Sequence, residues 1–112
     1  MLITALVIFA LAAVLGLIVA VRILTKRETS RAVALAHGLF GATGLVLVLL
    51  YALKSPHQLL TTAIGLLVVA AIGGAIVFVN DLRKKPGPAA LIVIHALVAV
   101  AAVVLVLLVA IR

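Results

Sequence analysis

His37 and His95 are the side chains of this sequence best suited to chemistry, because each is a polar ring set inside a long apolar run. An imidazole in hydrocarbon without a partner is costly. A backbone carbonyl, a proton relay or a metal ion would satisfy it. No Asp, Glu, Lys or Arg lies deep within the same runs, and the chain has no cysteine. Thiol chemistry, disulfides, Cys-ligated zinc and iron–sulfur clusters are therefore excluded. A closed zinc site within one chain would lack half of its usual ligands. Haem iron, by contrast, accepts one imidazole on each face of the porphyrin, so two histidines make a full axial set.

The elements that must position these rings are legible from composition. Of 112 residues, 69% are apolar and 10% charged, against roughly 45–50% and about 25% in an ordinary soluble domain. That balance excludes a soluble globular protein and a disordered one. A net charge of +7 does not signal nucleic acid, because the apolar runs leave no soluble face for a phosphate backbone. Crossing a bilayer takes about 20 apolar residues, and four stretches reach that length: Leu2–Leu24, Ala32–Leu53, Leu59–Val79 and Ala89–Ile111. The first has no basic residue before it and no small-residue cleavage site after it, which predicts a retained span. Thr29 or Ser30 is expected to cap the second helix, and Ser55 ahead of Pro56 the third. Asn80-Asp81 should close the third, and Pro86-Gly87-Pro88 should start the fourth. The short connections predict an all-α, up-down-up-down transmembrane four-helix bundle, a single domain over 1–112. Seven Lys and Arg residues fall on the side of the first and third connections, against Lys54 and Arg112 on the other. The expected setting is a bacterial inner membrane, with those connections cytoplasmic and both termini periplasmic.

A shift of 58 residues lays 2–54 on 60–112 without a gap, with 20 identities in 53 pairs. The rarer matches are Thr4/Thr62, Gly16/Gly74, Lys26/Lys84 and His37/His95. Each unit holds two helices, so the bundle is expected to consist of two parallel two-helix repeats about an axis along the membrane normal. Helices 2 and 4 then lie across a diagonal of roughly 14 Å, given neighbouring axes about 10 Å apart. That gap would admit a flat macrocycle between His37 and His95. Small residues surround their level: Ala34, Gly41 and Gly44 beside His37, Ala99 and Ala102 beside His95, and Gly16 and Gly74 on the other two helices. They are expected to leave room for a porphyrin, with Arg31, Lys26, Arg27, Lys84 or Lys85 pairing its propionates. The competing account of the glycines is a seam for close helix packing. His57, in the outer turn, is expected to be solvated. Tyr51 reads as an interfacial anchor, and Phe9, Phe40 and Phe78 as packing residues.

The segments His37-Gly38-Leu39-Phe40-Gly41-Ala42-Thr43-Gly44 and His95-Ala96-Leu97-Val98-Ala99 resemble the His-plus-small-residue helices of four-helix membrane b-type cytochromes, the broad cytochrome b561-like group. The resemblance implies one non-covalently bound haem b with His37 and His95 as axial ligands. That group commonly binds two haems through four histidines, whereas this chain has a single intramembrane pair. The expected function is electron transfer to or from a quinone or redox protein, as a carrier rather than a stand-alone enzyme. The bilayer is the expected surrounding, and a homodimer is compatible with the Gly- and Ala-rich faces. The alternatives are a small membrane scaffold or subunit and a small transporter. The small multidrug transporters are similar in length, but they carry a Glu in the first helix that this chain lacks.

Overall fold

The computed structural model describes residues 1–84 and 89–112. Among these are four α-helices: α1 (Leu2–Leu24), α2 (Arg31–Lys54), α3 (Gln58–Leu82) and α4 (Ala89–Ala110). All four are long and apolar enough to cross a membrane, and the molecule extends 42 Å along its major axis. The expected all-α, four-helix architecture is thus observed. Lys85 and the Pro86-Gly87-Pro88 start of the fourth helix lie outside the described residues.

Local chemistry sets the helix ends. Ser30 caps α2, its Oγ accepting from the Val33 N–H at 3.3 Å. The expected Ser55 cap of α3 is not what the structure uses. Ser55 instead terminates α2, donating its N–H to the Tyr51 carbonyl. The cap passes to His57, in extended backbone, whose Nδ1 accepts from the Leu59 N–H at 3.0 Å. His57 is therefore half-buried and engaged, with Arg112 Nη1 2.9 Å from its Nε2. Nor does Asn80-Asp81 stop α3; the helix continues to Leu82, and the Asp81 carboxylate accepts from the Thr29 hydroxyl. Both α1 and α3 are followed by a lysine in left-handed backbone: Lys26 (φ 57°) and Lys84 (φ 53°).

Two antiparallel hairpins, α1–α2 and α3–α4, pack closely within themselves and more loosely on each other, through α2/α3 and α1/α4. The antiparallel register is visible in the pairings Gly16/His37 and Phe9/Gly44. Burial follows one helical stripe (Leu2, Ala5, Phe9 and Ala12 on α1), and Leu60, Ala63, Leu67 and Ala70 take the same spacing on α3. Gly44 and Val48 on α2, and Ala102 and Val106 on α4, complete the sealed interior. This interior occupies the half of the bundle away from the basic connections. Past Ala12 and Ala70 towards those connections, Ile92 is the buried residue among those described. The outward faces are apolar as well, with Leu39 and Leu53 68% and 71% exposed.

Candidate functional site

The inner boundary of the sealed half is where the two histidines stand. On α1 the Ala12 carbonyl faces α2, and His37 Nδ1 lies 2.7 Å from it. On α3 the Ala70 carbonyl receives His95 Nδ1, also at 2.7 Å. A carbonyl only accepts, so each Nδ1 carries a proton and donates it. In a neutral ring of that tautomer, Nε2 keeps its lone pair. Among the described residues, neither Nε2 has a protein hydrogen bond, and no side-chain nitrogen or oxygen is both sealed and unpaired. Both Nε2 atoms are therefore open to a further partner.

Gly16 and Gly74 make this arrangement possible. A Cβ on Gly16 would lie 2.7 Å from the His37 ring, and one on Gly74 2.9 Å from the His95 ring. Each glycine follows the accepting alanine by four residues, so it lies one turn along the same face. Its missing side chain uncovers the carbonyl. The glycines thus seat the imidazoles themselves, where the sequence suggested space for a porphyrin. Gly44 likewise receives the Phe9 ring, 2.5 Å from where its Cβ would be, and Ala102 is fully buried in the interior. Those two belong to the core. Gly41 remains a candidate for open space, since a Cβ there would meet nothing within 4 Å. Ala99 is half-buried and Arg31 is exposed at the start of α2. The sequence reasoning missed the carbonyls of Ala12 and Ala70. Their signal was the recurring Ala-x-x-x-Gly at 12–16 and 70–74, each glycine followed 21 residues later by a histidine.

The two rings approach across the α2–α4 diagonal, centroids 6.1 Å apart and planes 80° from parallel. Both Nδ1 atoms are taken by carbonyls, so a further partner of this pair would bind at Nε2. Among the described residues, no group of three or more His, Asp or Glu side chains could hold a metal ion. Comparison with protein-family models, curated proteins and solved structures finds no match.

Proposed function

We propose that the chain is a membrane b-type cytochrome that carries electrons through one haem held by His37 and His95. The observation that carries this proposal is the pair of inward imidazoles. Each is fixed in the Nδ1–H tautomer by a carbonyl of its own hairpin, and the two stand 6.1 Å apart at the seam between hairpins. Fixing the tautomer by a second hydrogen bond is how proteins orient metal-binding histidines and raise their basicity. The less sealed half of the bundle beside the histidines favours a ligand at that level. Iron with both axial positions filled supplies one-electron transfer rather than oxygen binding. The chain's own residues hold and orient the group, and the apolar helices keep water from it. A quinone or a redox protein would be the exchange partner.

The four helices are proposed to span a bacterial inner membrane as two parallel repeats. The internal sequence match, which pairs Ala12 with Ala70 and His37 with His95, supports this arrangement. The excess of Lys and Arg at one end favours cytoplasmic connections and periplasmic termini.

Absorption spectroscopy of the protein purified from haem-replete cells tests the function, with a pyridine haem assay for the group's identity. A low-spin b-type spectrum is expected, lost in His37→Ala and in His95→Ala and kept in His57→Ala. A colourless wild-type protein would leave the two histidines as structural side chains bonded to carbonyls.

A further inference from the structure

At the end of the bundle that carries the basic connections, a cleft of about 750 Å³ opens between the hairpins. Lys26, Arg27, Arg31 and Lys84 line it, together with the carboxylates Glu28 and Asp81. The four cationic side chains outnumber the two carboxylates, so the rim is net positive. Apolar side chains complete the lining, among them half-buried Val77 and buried Ile92. A phosphate group with hydrocarbon attached matches this combination of charged rim and apolar lining.

The backbone sets these two lysines alike at the rim of the cleft. Lys26 and Lys84 occupy left-handed conformations, φ 57° and 53°, at the ends of α1 and α3. Glycine is the usual residue there, since a Cβ is penalised in that region. The chain accepts the penalty twice, with the same side chain, at positions 58 residues apart that border one cleft.

We propose that Lys26 and Lys84 grip the phosphate headgroup of an anionic phospholipid, which enters the cleft and ties the two hairpins together. The proposal rests on the four helices being membrane spans and is independent of haem. Its test compares thermal unfolding in phosphatidylcholine vesicles with unfolding in vesicles that also contain phosphatidylglycerol, after flotation has shown insertion in both. The wild-type melting temperature should rise with phosphatidylglycerol, equally with and without haem. In Lys26→Gly/Lys84→Gly the left-handed backbone is relieved, so stability in phosphatidylcholine should be equal or higher while the phosphatidylglycerol increment disappears. Lys54→Gln, at the opposite end, should keep the increment. An increment that survives in the double glycine variant, vanishes in Lys54→Gln or is matched by inorganic phosphate alone would overturn the proposal. So would an increment abolished by haem, which would assign the cleft to propionates. Failure to float with either vesicle would overturn the membrane spans as well, and is distinguishable from a lipid-independent melting temperature.

Discussion

At the residue scale, the consequential feature is that each imidazole has one nitrogen committed and one free. A carbonyl inside a helix already accepts from the N–H four residues on, so Ala12 and Ala70 each serve as acceptors twice. This works only where the next turn has no side chain. Gly16→Ala is therefore expected to push His37 off its carbonyl and to cost about 1–3 kcal/mol, the usual range for overpacking a filled site. Denaturant titration in detergent measures the stability loss, and if the proposed haem is bound its visible spectrum would change as His37 is displaced. Gly74→Ala should be milder, because its second-nearest His95 atom lies at 3.4 Å, whereas that of His37 lies 2.9 Å from a Gly16 Cβ.

At the element scale, each hairpin closes by matching a large side chain on one helix to a small residue on its partner. In the first hairpin Phe9 fills the space over Gly44. The positions 58 residues on are Leu67 and Ala102, both buried, so a smaller side chain there accompanies a larger partner. Gly44→Ala alone should destabilise by roughly 1–3 kcal/mol. Adding Phe9→Leu should recover much of the loss, because the pair then matches the second hairpin. A double-mutant cycle of unfolding free energies checks this, with an expected coupling of about 0.5–3 kcal/mol for residues in contact. Additive losses would show that the hairpins close by different means.

At the scale of the whole molecule, the two hairpins are the closely packed units and the seam between them is the loosely packed one. A group ligated by His37 from one hairpin and His95 from the other would hold them together across the seam. Ligand linkage then predicts that haem at a hundredfold excess over its dissociation constant adds about 2.7 kcal/mol of stability. Melting with increasing haem reads this gain, which should be absent in His95→Ala. The predicted orientation has its own test. Single cysteines at Thr25→Cys and Ser55→Cys should be labelled by an impermeant reagent from opposite faces of the membrane, and labelling from one face would contradict the up-down order.

The apolar runs determined four long helices, since a segment of that length and hydropathy has no other way to satisfy its backbone in a bilayer. The short connections determined their antiparallel order, and the two histidines were singled out by the cost of an imidazole among apolar side chains. Helix ends were less legible. Ser55 could serve either α2 or α3, and only the folded chain assigns it to the first and His57 to the second. The roles of the glycines were also undetermined, because Gly16, Gly41 and Gly44 have the same missing side chain but face an imidazole, open space and a phenyl ring in turn. Spacing fixes which face of a helix a residue occupies. What stands opposite that face depends on the register between helices, so the carbonyl partners and the 6.1 Å approach of the rings were decided by tertiary packing alone.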